Sequence, residues 1–488
     1  MIEPVLVGEL LPGVVAEAIA RAGPGYDRWA EQVAATGYCA HPVRLRGRVD
    51  HADPQTGEVR TAYSTDREPD ATLLKACGNR RVSVCPSCSA TYQADSFQLL
   101  AAGLRGGKGV PETVAGHPRL FVTFTAPSFG PVHSRRARGL LVYPCHPYRQ
   151  GATCPHGRRA GCWQRHDEDD PRLGEPLCPR CYQAGAQVLW NALAGRLWSR
   201  TTIYLYRALA QLAGLPEAEL REIVRISFAK VAEYQKRGAV HFHAIIRLDA
   251  RTACDCPACV SPPPEEFTAG LLERAVRQAA STVAVPCPMV DEDQAVILIA
   301  RWGEQLDVRC ITEAGDEGEL SAEQVAGYVA KYATKATEAL GGTLDHRLGE
   351  VELEDLDLPA HVAELVRACW ELGGRPNLAG LRLRKWAHML GFGGHFSTKS
   401  RRYSTTLGAL RRARVAYAIR RRRGDALPLD AWGRPEDDQA IIVVASWSYL
   451  GSGYQSTGEA WLATSAAARA REERRVAREE LRSTTAAA

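Results

Sequence analysis

The stretch EYQKRGAVHFHAIIRL, Glu233 to Leu248, constrains the fold most. The chain has only 13 histidines in 488 residues, and two of them, His241 and His243, flank a single phenylalanine. The stretch reads as two strands joined by a charged turn, and Lys236-Arg237-Gly238 has the composition of a hairpin connection. Side chains two apart on a strand share a face, so His241 and His243 point the same way while Phe242 packs inward. With the hairpin centred on Arg237, Glu233 lies directly across from His241. Gln235 shares that face and is the alternative third group. One carboxylate and two imidazoles then converge on one point, which is the geometry of a divalent-metal site.

A second pattern follows in SAEQVAGYVAKYATKATEAL. Ser321 is placed to cap a helix, with Gln324 at the capping-box position. On that helix Tyr328, Tyr332 and Lys335 fall at i, i+4 and i+7, within ~60° of arc, so two phenols and an amine share one face. Lys331 lies at the edge of that face. A tyrosine pair at this spacing is also an ordinary packing motif. Beside a metal site it acquires chemistry: a metal polarises a phosphodiester, a tyrosinate attacks phosphorus, and a lysine positions the phosphate. These are the parts needed to transesterify a DNA strand.

Fifteen cysteines in a chain expected to be cytoplasmic point to metal ligands more than to disulfides. Cys85-x-x-Cys88 in VCPSCSATY and Cys178-x-x-Cys181 in LCPRCYQ are zinc-knuckle pairs. They close one tetrahedral site between them, or else Cys154, His156, Cys162 and His166 supply the partners. Structural Zn²⁺ is expected either way. CDCPACV, with Cys254, Cys256 and Cys259, is a weaker candidate. Cys39, Cys287, Cys310 and Cys369 read as isolated buried thiols.

The remainder sets the organisation. A charged content of 24% with 45% hydrophobic residues is that of a soluble globular protein. No apolar run approaches the ~20 residues that span a bilayer. The N-terminus lacks the pattern of a signal peptide, so a cytoplasmic protein without a membrane partner is expected. No G-x-x-x-x-G-K-[ST] occurs, which excludes a P-loop ATPase. Residues 1–70 show amphipathic helix signals followed by a polar, turn-rich stretch. Residues 71–182 form the zinc-knuckle region and contain a first core strand at 118–127. Residues 183–340 hold a long helix with Trp190 and Trp198 in its stripe, the hairpin and the tyrosine helix. From Leu381 to Arg423 the chain is rich in Arg and Lys and has no acid, which suits a polyanion. This region, 341–430, offers Arg382, Arg384, Lys385, Lys399, Arg401 and Arg402 for DNA, and its GFGGHFSTKSRRYSTT loop suits phosphate contact and base stacking. Residues 431–488 form a tail with an Arg-rich helix.

HFH on a strand, preceded by EYQKRGAV, followed by YVAKYATK and with FVTFTAP upstream, resembles the HUH endonuclease superfamily. The two-tyrosine pattern is similar to the gene A replication proteins of small circular phages. Almost the whole chain, including CGNRRVSVCPSCSATY, DDPRLGEPLCPRCY and KWAHMLGFGGHFSTKSRRYSTTLGALR, resembles rolling-circle replication initiators of actinomycete plasmids and integrative conjugative elements. The resemblance implies an α+β fold with an antiparallel, ferredoxin- or RRM-like HUH core, a Cys-rich zinc-binding insertion and a basic C-terminal region. It implies an endonuclease that binds Mg²⁺ or Mn²⁺, nicks one strand of origin DNA (single-stranded or cruciform), keeps the 5′ phosphate on tyrosine and leaves a 3′-OH primer. Host helicase and replication machinery are the expected partners. A two-tyrosine HUH transposase and a non-catalytic zinc DNA-binding regulator are the other functions these features fit.

Overall fold

Two long strands of partly alternating polarity, within residues 224–250, form the centre of the sheet that carries the candidate site. The computed structural model describes residues 12–148, 151–253, 259–288, 298–312, 320–333, 344, 346–349, 358–423 and 442–486. The chain forms two compact units, Met1–Asp95 with Gly408–Ala488, and Ser96–Leu407.

The second unit is built on a six-stranded sheet. Its strands are β1 (Arg119–Phe124), β2 (Val224–Tyr234), β3 (Val240–Ala250), β4 (Leu306–Thr312), β5 (Leu320–Ser321) and β6 (Ser397–Lys399), in the spatial order β5-β4-β1-β3-β2-β6. The short β4–β5 pair is parallel and the other neighbours are antiparallel. Four helices of this unit are α1 (Ala184–Ala213), α2 (Ala269–Thr282), α3 (Ala322–Tyr332) and α4 (Ala360–Gly373). The α+β class and the antiparallel sheet agree with expectation, and the first core strand falls within the expected 118–127.

One face of β3 carries Phe242, Ala244, Ile246 and Leu248, all buried. These residues meet the stripe of α1, where Trp198 sets its ring edge-on to Phe124 and Phe242 at 5.7 and 6.1 Å. Such aromatic pairs bury large area in fixed geometry. The long helix expected around Trp190 and Trp198 is a single 30-residue helix ended by Gly214 in the left-handed region.

The opposite face of β3 carries His241, His243, Ile245, Arg247 and Asp249. Its far end is a buried ionic network. Asp249 accepts from Arg247 Nε at 2.6 Å and from Ser227 Oγ at 2.5 Å, and lies 2.8 Å from His117 Nδ1. The helix Pro86–Arg105 ends against it, with its Gly103 carbonyl accepting from Arg247 and its Leu104 carbonyl from Arg119. Cations suit a helix C-terminus, where unsatisfied carbonyls concentrate negative charge.

The β2–β3 turn is clamped from α1 and α4. Asn191, fully buried, donates to the Gly238 carbonyl at 3.0 Å and accepts from Val240 N at 3.1 Å. Gln187 and His361 both reach the Arg237 carbonyl at 2.9 Å. Gly238 has φ +78°, and a Cβ there would meet Leu365 and Leu390 at 2.8 and 2.9 Å. The positive φ favours glycine there, and a Cβ would also press on the two leucine tips.

In the other unit the expected polar, turn-rich stretch is largely strand. Val43–Ala52 pairs antiparallel with Ile442–Ser452, Val59–Ser64 and Leu73–Lys75. The segment VRLRGRVD alternates strictly, but its non-polar partners are small or only half-buried, so polarity masks a period-two signal. The helix Thr457–Ala486 packs on Pro12–Arg21 within the same unit. Among the described residues no helix is long and apolar enough to cross a membrane.

Removing the carboxylate from the buried network leaves Arg247 charged and without its partner. Asp249→Ala should therefore lower unfolding free energy by about 3–5 kcal/mol, read as a shift in the urea midpoint at unchanged slope.

Candidate active site

The hairpin register is the one the spacing implies, with Glu233 opposite His241 and Val231 opposite His243. Because both histidines rise from the same face of β3, their rings lie 4.5 Å apart. Glu233 Oε2 is 3.0 Å from the Nε2 of each. These three ligand-type groups form a cluster that fits a cation, with ligand atoms within 4.8 Å of one another. Gln235, the alternative third group, instead accepts from Arg237 Nε at 3.0 Å beside the turn.

The electrostatics suit the same purpose. Desolvation alone would raise the Glu233 carboxyl, but the hydrogen bonds and charges of the two imidazoles outweigh it and bring it down to about 2. Burial pushes His243 below its ordinary value, against the pull of Glu233. At neutral pH the site thus presents a carboxylate and, at His243, a neutral imidazole, the forms that coordinate metal. Thr123 on β1, paired with His243 across the sheet, holds the other ring nitrogen, with Oγ1 3.1 Å from Nδ1. That contact directs Nε2 toward Glu233. Sequence reasoning missed Thr123; the alternating threonines of FVTFTAP are the signal that could have found it. Asp307 on β4 lies opposite Thr123 and shares this face.

Helix α3 begins with the expected capping box, Ser321 Oγ accepting from Gln324 N and the Gln324 side chain accepting from Ser321 N. It buries Val325, Ala326, Val329 and Ala330. That leaves Tyr328 and Tyr332 on the flank facing His243, with ring centroids 5.2 and 5.4 Å from the imidazole and 4.6 Å from each other. Phe121, stacked on His243 at 5.8 Å, closes the group from β1. Tyr328 remains 43% exposed. Desolvation, with Tyr332 and nearby acids adding to it, raises its phenol well above the ordinary tyrosine value. Lys335 lies outside the described residues. Lys331 is exposed, as its position at the edge of the face implies.

The cysteine pairs separate. Cys85 and Cys88 join Cys77 and Cys39, while Cys178 and Cys181 join Cys154 and His156. Cys162 and His166 belong to a third group with His133 and Cys145. The two knuckles therefore do not share a site, and Cys162 does not partner Cys154. Cys39 is a correction: it is buried, but inside a four-cysteine group. Its partners lie far along the chain, so local spacing could not reveal them. Cys254 and Cys256 lie outside the described residues.

The basic positions divide. Arg382, Arg384 and Arg401 are exposed. Arg384 also donates to the Trp370 carbonyl at 3.1 Å, and Lys385 lies half-buried over Trp386. Lys399 turns its amine onto the Ser404 carbonyl at 2.8 Å, and Arg402 is buried, reaching Thr252. Those two heads serve the loop around Ser400–Thr405 more than an outside partner, a distinction that composition cannot make.

Residues 25–468 match the RepSA family, described as replication initiator protein, pSAM2. A replication initiator protein of Streptomyces ambofaciens is 45% identical over 487 residues, covering 99% of this chain and 97% of the relative. No solved structure is significantly similar to the chain. With a match running through the hairpin, the tyrosine helix and all three cysteine groups, the chain belongs to this family of replication initiator proteins.

Proposed function

We propose that this initiator nicks one strand of origin DNA by transesterification onto tyrosine and so starts rolling-circle replication. One observation carries the reading: a carboxylate and two imidazoles converge at 3.0 Å, and two phenols on one helix face stand against the same imidazole. The donor set of one carboxylate oxygen and two imidazole nitrogens fits Mg²⁺ or Mn²⁺, which Glu233, His241 and His243 would hold. When bound, such a cation polarises the phosphodiester and neutralises charge on its oxygens.

The chain's own residues supply the rest. Thr123 keeps His243 in one orientation. Tyr328 is a protonated phenol at neutral pH, so it loses its proton as its oxygen attacks phosphorus. The P–O3′ bond breaks, the 3′ oxygen gains a proton, and the 5′ phosphate becomes a phosphodiester of tyrosine. Bond energy is conserved, and the 3′-OH is free to prime synthesis. Closing the displaced circle needs a second transfer while the first tyrosine is occupied, and Tyr332 is one helical turn away. Lys335 is proposed to steady the phosphate. The exposed arginines of the basic region suit single-stranded or cruciform origin DNA, and host helicase and replication proteins would extend the primer. Family membership favours this initiator over a transposase or a non-catalytic regulator.

His241→Ala or His243→Ala should reduce nicking of an origin oligonucleotide by more than about a hundredfold, and Thr123→Val should weaken Mn²⁺ affinity by about 10–100-fold. Circular dichroism should be unchanged in all three. Wild-type cleavage by His243→Ala protein would remove the metal assignment.

The tyrosines make a sharper test. Tyr328→Phe and Tyr332→Phe should each retain a covalent 5′-phosphotyrosine adduct by mass spectrometry, and the double variant none. If one single variant is inactive and the other equals wild type in both cleavage and circle closure, the alternating mechanism is wrong.

Each phosphate of single-stranded DNA that a bound cationic side chain neutralises steepens the plot of log K against log salt by about 0.7. Replacing Arg382, Arg384 and Arg401 together with alanine should lower the slope by about two, measured by fluorescence anisotropy. An unchanged slope would make these arginines a solvated surface.

A further inference from the structure

We infer that the chain carries three separate structural zinc ions, each in a closed four-ligand site with its own donor set. The first is Cys39, Cys77, Cys85 and Cys88; the second is His133, Cys145, Cys162 and His166; the third is Cys154, His156, Cys178 and Cys181. In each group the four ligand atoms lie within 4.8 Å of one another.

The spacing fits a zinc ion. A tetrahedron with Zn–S bonds of 2.3 Å has sulfur–sulfur edges of about 3.8 Å. In the all-cysteine group Cys39 Sγ lies 3.7 Å from Cys85 and 3.6 Å from Cys88, and Cys77 lies 3.7 Å from Cys88. These separations far exceed a disulfide bond, and every one of these cysteines is free. They match a mononuclear site in which all four thiolates face one ion. Backbone amides point at the sulfurs as they do around a thiolate: Cys77 N at 3.3 Å from Cys39, Ala40 N at 3.4 Å from Cys85, and Asn79 N at 3.4 Å from Cys77. In the third group His156 Nδ1 is 3.1 Å from Cys181 and 3.7 Å from Cys178, again the edges of a small tetrahedron.

The second site carries an independent mark. His166 presents Nε2 to the group, 3.2 Å from His133 Nδ1 and 3.6 Å from Cys162. Its other nitrogen, Nδ1, lies 2.7 Å from the carboxylate of Asp170, which Arg172 holds in turn. A carboxylate behind the far nitrogen of a ligating histidine is the arrangement that fixes its tautomer in zinc sites. This loop also lines a cleft of about 1040 Å³, through His133, Ser134 and Arg135, opposite Gln235, Lys236 and Arg237 of the hairpin turn. The second zinc thus holds a wall beside the strand pair that bears the candidate active site. With no open position among four protein ligands, none of the three ions meets substrate.

Native mass spectrometry of reduced protein, purified with zinc present and without chelator, should give three zinc ions per chain. X-ray absorption at the zinc edge tests the donor sets without any substitution. Nine thiolates and three imidazoles over three ions average to three sulfurs and one nitrogen per zinc, with no oxygen. Cys39→Ser, His166→Ala and Cys178→Ser should each lower the count to two. Fewer than three ions in the wild type, iron in place of zinc, an oxygen shell, or a full count retained by Cys39→Ser would overturn the assignment.

Discussion

The antiparallel register of β2 on β3 decides the rest of the second unit. A strand has two faces, and a slip of one residue would send Phe242, Ala244 and Ile246 to the site and both histidines into the core. The protein fixes that register at the turn. Asn191 brackets it through Gly238 and Val240, while Gln187 and His361 hold the Arg237 carbonyl. Because Asn191 and Gln187 lie on the helix whose tryptophans cover the apolar face, packing and register reinforce each other. The core that makes the hairpin stable also aims its polar side.

The polar face is divided along its length by chemistry. At one end Arg247 and Asp249 form a closed network whose charges are matched within the protein. At the other, Glu233 lies 3.0 Å from both imidazoles, and burial holds the His243 ring below its ordinary pKa. The Glu233 carboxylate and these imidazoles are ligand-type groups gathered in a partly desolvated place. Their donor atoms lie close enough together to share one cation. The asymmetry between the two ends separates a structural ion pair from a site poised for a ligand, although both use the same strand and the same alternation.

Local patterns were legible in the sequence, and long-range closure was not. Glu233, His241 and His243 follow from period-two alternation and one turn; Tyr328 and Tyr332 follow from helical spacing, and Ser321 from its cap. Thr123 completes the site from another strand, and nothing local to HFH points to it. Cys39 failed for the same reason, lying 38 residues before Cys77 in the chain. The strand Val43–Ala52 was missed differently: its arginines satisfied a loop reading while its alternation satisfied a strand. Pairing with Ile442–Ser452, at the other end of the chain, settles the choice. Lys399 and Arg402 show the converse, since a basic composition does not tell which heads face outward.

Two phenols against one imidazole form a more demanding arrangement than either would alone. A packing pair at i, i+4 needs only to cover an apolar surface, and α3 already covers its surface with Val325, Ala326, Val329 and Ala330. The tyrosines lie on the flank of that stripe, with Tyr328 still open to solvent. Core packing therefore does not explain why both face His243. Their rings lie at similar distances from it, 5.2 and 5.4 Å, so the proposed phosphate site at Glu233, His241 and His243 would be within similar reach of both. They differ in setting: Tyr328 is the more exposed, and desolvation makes its phenol hold its proton more tightly than usual. The proposed mechanism, acting twice on one strand with its first nucleophile still esterified, needs equivalence of reach more than equivalence of reactivity. A single helix turn beside one imidazole provides that equivalence of reach.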